Sequence, residues 1–145
     1  MSKITRTRVM FSDLLNLPRG KYVPVDVAAG GDVGFARGAF AVSYDRDLVA
    51  VPGCGVYDGL PDMDLVLEEE RRKGWQAGTE IALGDLYVND APFGLCPRGA
   101  LKRAVKAWTD LGYSPMIGLE TEAFLFQRDE DGIWRPYDTP GAFVY

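Results

Sequence analysis

Apolar and polar positions alternate with a period of two through much of the first ninety residues, the pattern of short strands with one buried face. Thr7–Asp13 alternates loosely, and Lys21–Val25 is a short extended piece whose Pro24 suits a sheet edge. Leu17-Pro18-Arg19-Gly20 reads as the turn between them, and Gly30-Gly31 marks a loop. Gly38–Val42, Asp47–Val51, Asp64–Leu67 and Ile81–Val88 are further short apolar runs. Between them, Gly53–Asp62 is too rich in glycine for regular structure and reads as a functional or interface loop or simply a connector, while Glu68–Lys73 is a solvated charged turn or one helical turn. The period then changes. Leu101, Ala104, Val105, Trp108 and Leu111 recur at spacings of three and four, with Pro97 placed for a first helical turn and Gly112 for the stop. This predicts one amphipathic helix that covers a sheet with its apolar stripe.

Directly after the helix, Ile117–Phe126 reads as a buried strand with an anomaly. Glu120 and Glu122 are one residue apart, so on a strand both carboxylates leave the same face, roughly 6.5–7 Å apart along it. The other face carries Ile117, Leu119, Thr121, Ala123 and Leu125. Adjacent carboxylates repel and are expensive to desolvate unless a positive charge sits beside them, and hard divalent cations take oxygen ligands. A solvated face of an antiparallel strand would show the same alternation. Phe124 and Phe126, continuing the glutamate face, favour a cavity wall. Asp129–Gly132 then turns the chain, and Ile133–Pro136 starts a hairpin partner. The apolar ending Gly141–Tyr145 so soon after a hairpin begins is the pattern of a truncated sequence.

Composition narrows the chemistry. The chain has 145 residues, enough for one ordinary domain or a small one plus part of another, and 47% of them are hydrophobic. Its formal charge of −5 argues against nucleic acid and anionic membrane as partners. No segment is long and apolar enough to span a bilayer, and Met1–Arg8 lacks the apolar core of a secretory signal, so a cytoplasmic location is expected. Cys54 and Cys96 have no metal-type spacing and read as reduced thiols. There is no histidine. Ser-His-Asp and Cys-His sites, histidine-ligated zinc and a histidine base are therefore excluded, leaving carboxylates, lysines, arginines, tyrosines and thiols.

Several blocks fall in one order: Trp75–Thr79, Leu83–Tyr87, Pro92-Phe93, Cys96–Ala104, Gly112-Tyr113 and Gly118–Phe126. In that order they resemble the N-terminal third of the glutamine synthetase family, γ-glutamyl-amine ligases included. The resemblance implies an α+β chain: a β-grasp N-terminal domain over residues 1–95, then the first helix and strands of a catalytic barrel over 96–145, incomplete. It implies an ATP-dependent ligase that joins glutamate to ammonia or another amine through γ-glutamyl phosphate, with two Mg²⁺ or Mn²⁺ ions neutralising the phosphates. By position Glu120 and Glu122 look like two of the metal ligands, one for each ion. The remaining ligands, the nucleotide contacts and the substrate arginines of the family would lie beyond Tyr145, so the chain alone is expected to be inactive. The family also implies ring-shaped homo-oligomers, often of twelve subunits.

One departure bears on the acceptor. Where the family often carries Asp-Gly-Ser-Ser to help bind ammonium, this chain reads Val51-Pro52-Gly53-Cys54-Gly55-Val56. Loss of that carboxylate opens a larger amine as acceptor, with Asp58 and Asp62 as possible replacements for the charge. Two other readings stand beside the ligase: a stand-alone β-grasp docking module or non-catalytic paralogue, where pure docking gives no reason to keep the glutamate pair, and an unrelated α+β domain with ordinary surface glutamates.

Overall fold

A computed structural model describes residues 3–137. By compactness the chain divides into two units, Met1–Ser114 and Pro115–Tyr145. The first is built on a mixed sheet. Its strands are β1 (Arg6–Ser12), β2 (Pro18–Pro24), β3 (Asp32–Ala36), β4 (Asp62–Leu67), β5 (Arg72–Lys73), β6 (Thr79–Val88) and β7 (Ala91–Pro92). The spatial order is β2-β1-β6-β4-β3, with β5 and β7 paired to β6. Only the central β1–β6 pair is parallel, Val9 lying opposite Ala82; the other pairs are antiparallel. The sheet curls enough for Lys21 on one edge strand to donate to the carbonyl of Gly34 on the other, at 2.7 Å.

Period-two patterning sorts the faces as expected. Val9 and Phe11 on β1, Met63, Leu65 and Leu67 on β4, and Ala82 and Leu86 on β6 form the core, closed by Val33, Phe40 and Ala41. Phe11 meets Phe35 edge-on at 5.1 Å and stacks on Phe40 at 6.0 Å, and Phe40 meets Phe93 at 5.1 Å. Gly84 sits where β6 presses on β4: a Cβ there would lie 2.4 Å from the Val66 carbonyl oxygen.

Two early expectations change. The β1–β2 turn is at residues 13–17, not 17–20. Buried Asp13 accepts the backbone N–H groups of Leu15 and Leu17, both at 2.9 Å, and Arg19 Nε at 2.6 Å, which frees Pro18–Gly20 to join the strand. Gly38–Phe40 lies in a 3₁₀ turn, Arg37–Phe40, and Asp47–Val51 contributes only an isolated bridge, Val42 to Leu48.

Among the described residues two α-helices complete the unit, the four-residue α1 (Val25–Ala28) and α2 (Pro97–Asp110). The ends of α2 follow its sequence signals. Pro97 opens it, and Gly112 at φ +85° closes it, with Gly112 N–H to Thr109 O and Tyr113 N–H to Trp108 O satisfying the last carbonyls. Trp108 and Tyr113 pack edge-on at 5.7 Å across that end. The predicted covering role is corrected. Only the first turns of α2 touch the sheet, and Leu101, Trp108 and Leu111 are 55%, 54% and 73% exposed.

The second unit contains a hairpin, β8 (Phe126–Arg128) with β9 (Trp134–Pro136), turned at Asp129–Gly132 as expected. Asp129 holds the turn by accepting Ile133 N–H at 2.8 Å and Arg135 Nε at 2.6 Å, with the arginine the first cause of a carboxyl pKa below its usual value. Among the described residues no helix is long and apolar enough to cross a membrane. The architecture is mixed α+β and dominated by its sheet. The expected ending at Gly141–Tyr145 lies outside the described residues.

Candidate functional site

Two groups of residues carry the expected chemistry, a third emerges from the structure, and the three are placed differently. The first is the glutamate pair. Residues 113–125 have no regular structure, so the predicted strand at Ile117–Phe126 is corrected to the three residues of β8 at its end. A strand exists only by pairing, and among the described residues no strand lies against 113–125. Glu120 and Glu122 are exposed, and so are Leu119 at 94% and Phe124 at 90%. The alternation is present in sequence without a buried face to receive it. Their donor chemistry suits a hard divalent cation, but among the described residues no three or more acidic or thiol side chains gather where one could bind. Two carboxylates fall short of the six oxygen ligands such an ion takes.

The second group is the loop Pro52–Asp62. Arg37 pins its two ends, donating from Nε to the Asp62 carbonyl at 2.8 Å and from a terminal nitrogen to the Gly53 carbonyl at 3.2 Å. Asp58 accepts the Gly55 N–H at 3.0 Å and so caps the 3₁₀ turn Val56–Asp58. That local bond gives Asp58 a structural task, while Asp62 heads β4 with its side chain exposed. Cys54 is buried, and burial pushes its thiol pKa up; Arg37 opposes the shift and Asp58 adds to it. Beside the loop lies a cavity of about 280 Å³ whose walls include Leu48, Val49, Cys54, Val56, Tyr57 and Leu60. The wall is largely apolar.

The third group was not singled out from sequence. Arg98 on α2 donates from Nε to Asp85 at 3.0 Å and also reaches Glu68, Lys102 reaches Asp85, and Arg72 pairs with Glu68 at 3.5 Å. This network joins α2 to β6 and to the end of β4. The charged run at Glu68–Lys73 therefore acts as a brace. Its one signal in sequence was the basic start of α2, which says nothing about which carboxylates it meets.

No family model matches the chain. Individual proteins do. The chain is 31% identical to a glutamine synthetase of Pyrococcus furiosus over 137 residues, covering 92% of this chain and 28% of that protein. It is 31% identical to a γ-glutamylanilide synthase of an Acinetobacter species, covering 81% of this chain and 27% of the relative. With the γ-glutamylputrescine synthetase of Escherichia coli K12 it shares 29% identity over 92% of its own length and 30% of the relative's. Among solved structures, a novel glutamine synthase homolog superposes with a TM-score of 0.62 at 18% identity, over 77% of this chain and 28% of that one. A GmaS–ADP complex superposes at 0.58 and 23% identity, over 76% and 24%.

The fold is thus one found in glutamine synthetase homologues. In sequence too, over about nine-tenths of its length, the chain is a homologue of glutamine synthetases and γ-glutamyl-amine synthetases. It spans about three-tenths of the length of these relatives.

Proposed function

We propose that this chain is the N-terminal portion of an ATP-dependent ligase that joins glutamate to ammonia or to a larger amine through γ-glutamyl phosphate. The observation that carries the reading is the similarity to ligases of both acceptor types across 81–92% of the chain. In this reading residues 1–95 form a β-grasp domain and 96–145 open the catalytic domain.

Glu120 and Glu122 supply two of the ligands of a divalent-metal centre completed by residues of the longer protein. When bound, Mg²⁺ or Mn²⁺ there would supply charge neutralisation for the transferring phosphoryl group. The exposure of Glu120 and Glu122 supports this assignment, because carboxylates that no side chain of this chain engages can still be taken up by a metal centre. The apolar cavity beside Pro52–Asp62, and the engagement of Asp58 in a backbone cap, favour an amine with a hydrocarbon part over ammonia as acceptor. The full-length enzyme is a cytoplasmic homo-oligomer of ring form, acting on glutamate and ATP.

The test uses the uninterrupted reading frame. Purified product should release phosphate from ATP only when glutamate and an amine are both present, and a panel running from ammonium through putrescine to aniline ranks the acceptors. Absence of glutamate-dependent phosphate release with every amine would sink the reading. Glu120→Ala and Glu122→Ala should each abolish release while the oligomer, sized by light scattering, stays intact.

A further inference from the structure

One surface of the first unit takes no part in the proposed ligase chemistry. Arg6 and Arg8 stand two apart on β1, on the face opposite the buried Thr7 and Val9. The Arg8 guanidinium lies 4.6 Å from the centre of the Trp75 ring and 5.8 Å from that of Tyr22, and Arg6 lies 4.8 Å over Tyr22. Arg6 donates to Thr79 Oγ1 at 2.9 Å and to Gln76 Oε1 at 3.3 Å, and the Tyr22 hydroxyl donates to the same Gln76 oxygen at 2.9 Å. The group is ordered yet open to solvent: Trp75 is 70% exposed and Tyr22 45%.

Its arginines, like several other basic residues among those described, stand without a carboxylate beside them. Arg19, Arg71, Arg72, Arg98, Lys102, Lys106 and Arg135 all lie within ion-pair distance of a carboxylate. Among the described residues Arg6 and Arg8 have no such partner, although the chain carries 21 acidic residues against 16 basic ones. The guanidiniums are held by rings and amides, which order them without neutralising them.

We propose that Arg6, Arg8, Tyr22 and Trp75 form a docking surface for an acidic, extended segment of another protein. Trp, Tyr and Arg are the residue types that dominate binding energy at protein interfaces. Stacking fixes the guanidinium planes beforehand, so little side-chain entropy remains to be lost on binding. The spacing defines the ligand. Alternate residues leave β1 roughly 6.5–7 Å apart, the repeat of alternate side chains on an extended segment, so carboxylates at every second position of such a segment come within reach of both arginines. The exposed rings add apolar contact that an inorganic anion would not use. This inference goes beyond the ligase reading and does not depend on it.

The probe is a synthetic acetylated hexapeptide of alternating Glu and Val, titrated into the whole chain while the Trp75 indole and the Arg6 and Arg8 Nε–H signals are followed by NMR. Saturable shifts of these signals are expected. Arg8→Ala and Trp75→Ala should each weaken binding about tenfold or more. Arg8→Gln, which keeps the stem on the rings and so guards against a folding defect, should lose as much. Arg46→Ala, on an exposed turn, should bind as the parent does. Retained affinity in Arg8→Gln would overturn the proposal. So would equal shifts with inorganic phosphate or with a Lys-Val peptide, or sedimentation showing that the patch is already filled by a second copy of the chain.

Discussion

Asp13→Ala should be among the most damaging single changes in the first unit, although it lies on a surface turn. Asp13 is 1% exposed, and its carboxylate accepts three hydrogen bonds: from Leu15 N–H and Leu17 N–H at 2.9 Å each, and from Arg19 Nε at 2.6 Å. Hydrogen bonds to a charged acceptor contribute about 1.5–3 kcal/mol each. The arginine is about a third exposed, so its pairing is screened and contributes only about 0.5–1 kcal/mol. Alanine leaves two turn N–H groups without their acceptor, one or both of which water then reaches, so the net loss is about 2–4 kcal/mol. For a unit of this size that lowers the thermal midpoint by roughly 10 °C or more. Asp13→Asn keeps an acceptor oxygen for the backbone and loses the ion pair, so it should lose only about 1 kcal/mol. Urea unfolding followed by far-UV circular dichroism measures all three proteins. If Asn proves as harmful as Ala, or Ala shifts stability by under about 0.5 kcal/mol, the account of this turn is wrong.

Three further outcomes are expected. Gly84→Ala places a Cβ 2.4 Å from the Val66 carbonyl oxygen and should destabilise by about 1–3 kcal/mol in the same urea assay, whereas Gly34→Ala, with nothing within 4 Å, should change little. Because burial raises the Cys54 thiol pKa above the usual 9.0, the folded state holds its proton longer than the unfolded state does. That contribution is therefore fully present below pH 9 and is lost as pH rises through the folded value, so the alkaline fall in stability should be shallower in Cys54→Ala. In the full-length protein, Glu120→Ala or Glu122→Ala should leave the unfolding midpoint of the first unit unchanged while abolishing turnover, since these side chains are exposed and belong to the second unit.

Legibility followed the range of the interaction. Strands β1, β4 and β6 were visible because their core residues alternate locally, and α2 because Pro97, Gly112 and a three-four stripe mark it within fifteen residues. β3 escaped notice, since Gly34 and the flanking Asp32 interrupt its apolar run and only pairing with β4 makes it a strand. The turn near Pro18 was misplaced because the signal for a turn was read from proline and glycine, while the governing group was an aspartate four residues upstream of the last N–H it accepts. At the candidate site, the glutamate pair and the departure at Val51–Val56 were readable; the apolar lining beside the Pro52–Asp62 loop was not, because Leu48 and Val49 join it from outside the loop.

By itself the sequence determined what each segment is able to do: which stretches alternate, which face of α2 is apolar, that no histidine takes part, and that two carboxylates stand side by side at 120 and 122. Tertiary structure decided what those capacities meet. Glu68 and Asp85 find Arg98 across 30 and 13 residues of chain, and Arg8 finds Trp75. Ile117–Leu125 keeps the alternation of a strand yet pairs with no strand among the described residues. The reason is physical. A helix closes its hydrogen bonds within four residues, so its existence is written locally, while a strand, an ion pair or a stacked guanidinium depends on a partner that only the folded chain brings near.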